Sequence, residues 1–332
     1  MTRALGSLAA VAAIALLAAG AGSAAGARAV VAVWIPYLCL AALLLGLSWR
    51  VVRWSLAPVP FRIPTVCGQE KSLPWIKSSW LESPPNTAAA VARMALEVPT
   101  FRSLFRGTRS RLEQGAPRLI YREAKWLWLG ALAFHWSLLA ILLRHLRLFV
   151  DPVPTIALFL ESLDGFFHIG APVFYMTDAV VLAALLYLLQ RRLRDRQIRY
   201  LSLFSDYFAL FLLLGITFSG VWMRYFARTD AVAVKQFAIG LATFAPAVPQ
   251  NVGAWFYAHL ALVSALAAYL PFSKLVHMGG VFLSPTRNLA NNNRRTRHVN
   301  PWNYPVKTHT YQEWEDEFRD KLEAAGLPVE KR

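Results

Sequence analysis

The sequence predicts an all-α fold, an integral membrane helical bundle with five core transmembrane helices plus an extra N-terminal hydrophobic helix. Three observations predict it. The 332-residue chain is 56% hydrophobic and only 16% charged, with a mean hydropathy of +0.39, which is not the balance of a soluble domain. Six apolar stretches are near the roughly 20 residues a helix needs to cross about 30 Å of hydrocarbon. The basic residues also collect in alternate connectors, as they do in membrane proteins.

The stretches are, in order, residues 4–26, 29–49, 126–143, 166–190, 207–223 and 252–277. The first is rich in alanine and follows Arg3, so a retained transmembrane helix and a cleaved signal peptide both fit residues 1–28. The fourth contains one acid, Asp178, and the sixth contains Pro271. The chain then divides into the N-terminal segment, a transmembrane helix at 29–49, a loop at 50–125, a transmembrane bundle at 126–278 and a polar tail at 279–332.

The formal charge of +16 invites a nucleic-acid reading, but its placement argues against one. Residues 50–125 hold 13 Lys and Arg against five Glu, and the connector QRRLRDRQIRY adds five arginines against one Asp. The tail continues with Arg287, Arg294, Arg295 and Arg297. All three segments share one side if six helices alternate, and the positive-inside rule makes that side cytoplasmic. The expected location is the cell inner (cytoplasmic) membrane, multi-pass, with a cytoplasmic C-terminus and the lipid bilayer rather than nucleic acid as partner.

Cys39 falls in an apolar helix and Cys67 in the loop, and neither belongs to a CxxC, so an iron–sulfur cluster would have to belong to a partner. The loop opens with a proline-punctuated stretch. It continues through residues 87–106, where Val91, Met94, Ala95 and Val98 recur at helical spacing. That pattern fits an amphipathic helix on the membrane face or a docking surface for a soluble subunit. The tail, with Asn291, Asn292 and Asn293 followed by RRTRH, predicts only a short acidic helix near 311–325, lying along a neighbouring protein.

Ionisable residues inside membrane helices are costly and point to function. His135 and His145 stand ten residues apart in FHWSLLAILLRHLRLF, about 15 Å along the third helix. His259 and His277 stand 18 apart on the sixth, about 27 Å and five full turns. Antiparallel packing brings His135 level with His277 and His145 level with His259. Two bis-histidine sites follow, one near each face, suited to the axial ligation of two haem b irons. The unequal separations require tilt or a kink, which Pro271 could supply. Interhelical hydrogen bonding is the plainer reading of any one histidine, and no acid or cysteine accompanies them at zinc-ligand spacing.

His168, at the start of the fourth helix near Asp164 and Arg144, is a candidate acceptor for a quinol hydroxyl proton, and Arg144 is the second quinone-site candidate. An interfacial histidine is its plainer reading. His298 and His309 lie in the polar tail without a role.

The two histidine spacings resemble those of the nitrate reductase gamma-subunit family of dihaem cytochromes b over the last five helices. The segments RIPTVCGQEKSLPWIKSS, RMALEVPTFRSLFR and PFSKLVHMGGVFLSPTRNLANNNRRTRHVNPW are similar to those of the DsrM family, the membrane cytochrome subunits of sulfite-reduction-associated DsrMKJOP complexes. The resemblance implies a menaquinol-linked oxidoreductase subunit with two haems b. It would be paired with a cytoplasmic iron–sulfur (DsrK-like) subunit similar to the catalytic subunit of heterodisulfide reductase, and with further membrane or periplasmic subunits. His135 and His277 would hold the cytoplasmic-side haem, and His145 and His259 the outer one. The extra N-terminal helix departs from the five-helix nitrate reductase pattern. A haem-free transporter using His and Asp178 as a proton relay, and a structural anchor, are the alternatives.

Overall fold

The computed structural model describes the chain apart from residues 1, 58–73, 76, 113–118, 166–171, 251, 285–287, 293–307 and 331–332, and for 108–122 it describes the backbone alone. Helix α1 (Thr2–Ser23) precedes one apolar rod, Ala25–Ser55, made of α2 (Ala25–Ala29), a π-helical segment (Val30–Trp34) and α3 (Ile35–Ser55). The loop carries α4 (Thr87–Thr100), α5 (Arg102–Phe105) and an antiparallel hairpin, β1 (Thr108–Leu112) paired with β2 (Leu119–Glu123). Then come α6 (Lys125–Phe149), α7 (Thr155–Asp164), α8 (Met176–Arg194), α9 (Arg196–Leu201) and α10 (Phe204–Tyr225). The chain continues through α11 (Ala231–Ala242), α12 (Ala254–Tyr269), two 3-10 turns (Leu270–Phe272 and Lys274–Val276), α13 (His277–Leu283) and α14 (Tyr311–Ala324).

Among the described residues, five helices are long and apolar enough to cross a membrane: Thr2–Ser23, Ala25–Ser55, Lys125–Phe149, Phe204–Tyr225 and Ala254–Phe272. Leu16 (72%), Leu17 (74%) and Leu45 (72%) stay exposed on their outer faces, which only a lipid solvent tolerates in such numbers. This is a multi-pass membrane protein.

Helix α12 lies at the centre, packed by α1, α3 and α10, with Tyr257 and Leu262 almost fully buried. Close approach needs small residues. A Cβ on Gly22 would fall 2.2 Å from the Tyr257 ring, and one on Gly130 of α6 would fall 2.6 Å from Tyr187 of α8. Polar contacts mark the two ends of the bundle. At the end bearing the arginine-rich connector, Arg3 donates to the Ser202 carbonyl (3.1 Å), Arg50 to the Pro271 carbonyl (3.1 Å) and Lys274 to Asp206 (2.8 Å). At the opposite end Arg28 donates to Gln250 (3.1 Å) and Tyr37 to the Leu241 carbonyl (2.8 Å).

Three elements differ from the sequence expectation. Helix α8 begins at Met176 rather than near residue 166, and Arg191, Arg192 and Arg194 close it. It still runs antiparallel to α6, from Asp178 beside Arg144 to Tyr187 beside Gly130. The sixth helix does not carry through to His277, so five unbroken turns do not relate His259 to His277. Pro271, without an N–H and crowding the preceding turn, ends the helix in a 3-10 turn. Ser273 is then extended, and its hydroxyl caps the next turn by accepting from Leu275 N–H (3.1 Å). Finally, the stretch 87–106 is two helices hinged at Phe101, whose φ of 50° is left-handed.

Candidate functional site

Four histidines line the seam between α6 and the segment from α12 to α13. Near the arginine-rich end, the rings of His135 and His277 lie 5.9 Å apart, centre to centre, with perpendicular planes. The break after Pro271 delivers His277 there at the first position of α13. Towards the other end, His145 and His259 lie close enough for their charges to interact. The structure thus sets His135 beside His277, with His145 and His259 within electrostatic range of one another further along the seam. None of the four histidines is a fully buried residue.

The second ring nitrogen of each histidine is tied down. His135 Nδ1 donates to the Ala131 carbonyl (2.7 Å), His145 Nδ1 to the Ile141 carbonyl (2.7 Å) and His277 Nδ1 to the Lys274 carbonyl (3.0 Å). A carbonyl only accepts, so Nδ1 carries the proton in each case and Nε2 keeps its lone pair. His259 reaches the same state through a side chain. Its Nδ1 lies 2.9 Å from Ser219 Oγ, which in turn lies 2.9 Å from the Ile216 carbonyl. The hydroxyl donates to the carbonyl and accepts from Nδ1. Gly220 beside it lets α10 approach, since a Cβ there would meet His259 Cε1 at 3.3 Å.

The loop reaches the first pair. Phe101 sits edge-on to His135 at 4.9 Å, and Phe134 flanks the same ring at 4.8 Å. Trp128 and Trp136 of α6 donate to the carbonyls of Thr100 (2.7 Å) and Pro99 (2.9 Å), which pins the α4–α5 corner to the helix. The unusual backbone of Phe101 is held by this contact set.

Beside the second pair lies a buried ionic cluster. Arg144 meets Asp164 at 3.2 Å and Asp178 at 2.9 Å. Asp164 also accepts from Thr177, and Asp178 accepts from the Tyr225 hydroxyl (2.8 Å). The Tyr175 ring is sandwiched between the guanidinium groups of Arg144 (3.9 Å) and Arg224 (4.1 Å). Of the two quinone-site candidates from sequence, Arg144 is engaged by two carboxylates, and His168 lies outside the described residues. Sequence reasoning placed Asp164 near Arg144 but missed Ser219, Tyr225 and Phe101. The Ser219–Gly220 pair inside an apolar helix was the signal available for the first.

A metal bond of about 2 Å and about 1 Å from nitrogen to ring centre on each side give about 6 Å between the centres of two imidazoles that share one metal. The 5.9 Å separation of His135 and His277 fits one iron between them.

Residues 94–297 match the model of the nitrate reductase gamma subunit family. A protein of Archaeoglobus fulgidus, named Hdr-like menaquinol oxidoreductase cytochrome b-like subunit, is 45% identical over 280 residues, covering 82% of this chain and 83% of its own. The protein of the same name from Archaeoglobus profundus is 41% identical over 275 residues, covering 81% of each. The chain, with its paired histidines inside the matched region, belongs to the nitrate reductase gamma subunit family.

Proposed function

We propose that the chain is the dihaem cytochrome b subunit of a menaquinol-linked membrane oxidoreductase. His135 and His277 would hold one haem b iron and His145 and His259 the other, through Nε2 in each case. The observation that carries this reading is the shared state of the four rings, each with Nδ1 bonded and Nε2 left as an electron-pair donor. Bound haems supply reversible one-electron chemistry at iron. The chain's own residues fix the ligand orientation, keep the irons on one seam about 15 Å apart along α6 and surround them with apolar side chains.

The arginine-rich end is cytoplasmic in this reading, so the His135–His277 site faces the cytoplasm and the His145–His259 site the outer side. Electrons pass between the menaquinone pool, at a pocket near the outer site, and a cytoplasmic iron–sulfur subunit of the heterodisulfide reductase-like (DsrK-like) kind. The name Hdr-like menaquinol oxidoreductase, carried by both relatives, supports the pairing of these two substrates. The loop and tail segments support the finer assignment to a DsrM-type subunit in dissimilatory sulfur metabolism, with further subunits completing the complex. Helix α1, sewn to α10 by Ser7 and Phe204 (2.9 Å), is retained as part of the bundle.

The test is a haem count with redox titration of the purified protein. The expected outcome is a low-spin b-type spectrum and two haems per chain; one haem or none overturns the reading. His145→Ala should abolish reduction of the inner haem by quinol. His135→Ala should leave an outer haem that quinol reduces but that cannot pass electrons to the partner. The opposite pattern would put the quinone pocket at the cytoplasmic end.

A further inference from the structure

We propose that the outer face of α8 binds one anionic phospholipid from the leaflet at the arginine-rich end, with an acyl chain in a groove along the helix and the phosphate between Arg194 and Arg199. The buried residues of α8, Val181, Ala184 and Leu185, pack with Phe134 of α6 and with Leu210 and Leu213 of α10. Away from that packing the helix carries a groove of about 500 Å³, within the range of about 300–1,000 Å³ that holds small ligands. Ala183, Leu186 and Tyr187 line its apolar length, and Gln190 and Arg194, with Leu193 between them, line its polar end. Leu186 is 55% exposed there, so this face meets the bilayer.

The dimensions fit one leaflet. From Ala183 to Arg194 the helix rises about 16 Å at about 1.5 Å per residue. One leaflet supplies about half of the roughly 30 Å of hydrocarbon, so an acyl chain fills the groove when its headgroup stands at Arg194. A separate observation puts the interface at the same level. Tyr200 (84%) and Leu201 (66%) lie exposed on α9 just beyond the arginines, and exposed aromatic side chains collect where hydrocarbon gives way to headgroups.

The charges select the headgroup. Of the arginines that close α8, Arg192 turns to the bundle, donating to Ser202 Oγ (2.8 Å) and lying 3.9 Å from Asp206. Arg194 turns to the groove. The Gln190 amide oxygen accepts from both of its terminal nitrogens, at 2.8 and 3.1 Å, which steadies the guanidinium. A guanidinium has five N–H donors, so donors remain for a ligand. Arg199 reaches back from α9 to the Leu193 carbonyl (3.4 Å), which sets a second cation at the same end. Asp195, the one acid of this connector, accepts from the Gln197 and Ile198 N–H groups at the head of α9. Guanidinium forks match phosphate oxygens, and a zwitterionic headgroup gains less because it brings its own cation. Each arginine at a membrane surface favours an anionic lipid by about fivefold.

The experiment places the wild-type protein in nanodiscs of equal parts phosphatidylglycerol and phosphatidylcholine, releases it in a mass spectrometer and counts the lipids it retains. Thermal midpoints in the same nanodiscs report folding. Wild type should retain one phosphatidylglycerol over phosphatidylcholine by about 25-fold, as two arginines require. Arg194→Gln should cut that preference about fivefold, and adding Arg199→Gln should remove it, whereas Arg196→Gln, an equal change of charge off the groove, should leave it within about twofold. Ala183→Trp fills the deep end of the groove and should weaken retention of both lipids. Equal retention of the two lipids by wild type, or an equal loss in Arg196→Gln and Arg194→Gln, would leave only the general attraction of a basic surface and overturn the site. Displacement of the lipid by millimolar inorganic phosphate would overturn it in favour of a free anion. Crosslinking of Leu186→Cys to a transmembrane helix of another subunit in the intact complex would overturn it in favour of a protein interface.

Discussion

Replacing Ser219 by Ala should loosen one haem and leave the other untouched. Ser219 is 2% exposed and spans His259 Nδ1 and the Ile216 carbonyl, both at 2.9 Å. The other three histidines lean on backbone carbonyls alone, whereas His259, which also faces the Ile216 carbonyl, has in Ser219 a side-chain partner that a point substitution removes. A neutral hydrogen bond contributes about 1 kcal/mol, which is about fivefold in an equilibrium constant. Residues that orient a metal-bound imidazole usually matter more, at about 10–100-fold in affinity. Losing the Ser219 acceptor also weakens the hydrogen bonding at Nδ1, leaving the Ile216 carbonyl alone there; the imidazole becomes a poorer electron donor, which disfavours the ferric state and raises the potential. The assay is haem retention after dilution in detergent, with a spectroelectrochemical titration resolving the two haems. Ser219→Ala should show one haem dissociating at least fivefold more readily, at a raised potential, and the second unchanged. Identical retention and potentials for wild type and variant would refute the assignment of His259 as an oriented ligand.

Gly22→Leu should force α1 off α12, because even a Cβ at that position would overlap the Tyr257 ring at 2.2 Å; a loss of about 1–3 kcal/mol, read as a lower thermal midpoint in detergent, checks it. Arg144→Met leaves Asp164 and Asp178 buried without their cation and should destabilise the protein by about 3–5 kcal/mol, whereas adding Asp164→Asn and Asp178→Asn to it should recover much of that loss in the same thermal measurement. Cys67, outside the described residues, should resist a membrane-impermeant thiol reagent in intact cells and react once they are permeabilised; labelling without permeabilisation would invert the topology.

The fold class was legible because spanning a bilayer imposes a length and an apolarity that few other constraints produce. The approach of His135 to His277 was legible for a related reason, since antiparallel helices bring residues of matched depth together. The path of the chain to His277 was not legible. A continuous helix and a helix broken at Pro271 place similar residues in similar order, and only tertiary packing decides where His277 ends up. Helix α8 was overextended at its start because Pro172, Val173, Phe174 and Tyr175 share the composition of a span while standing outside the helix. The ionic cluster was hidden for a different reason. Arg144, Asp164, Asp178 and Tyr225 come from four helices, so no local spacing links them.

The two sites differ in how the chain builds them, and the difference bears on their roles. His145 and His259 both belong to long helices, and their surroundings are tied by ion pairs that span α6, α7 and α8 and by a hydrogen bond from α10. His277 instead sits past a break in the helix, on the seven-residue α13, while the facing His135 is touched by Phe101 at the hinge of α4 and α5. A site on rigid elements suits a group that must meet a small substrate in one fixed geometry. Short elements open locally at lower cost than long packed helices. A partner that presses on α4, α5 or the segment after Pro271 therefore acts on the ligands of the His135–His277 site first. In the proposed dihaem reading its docking should shift the potential of that haem while leaving the other in place, which would make the potential difference between the two sites a direct reporter of complex assembly.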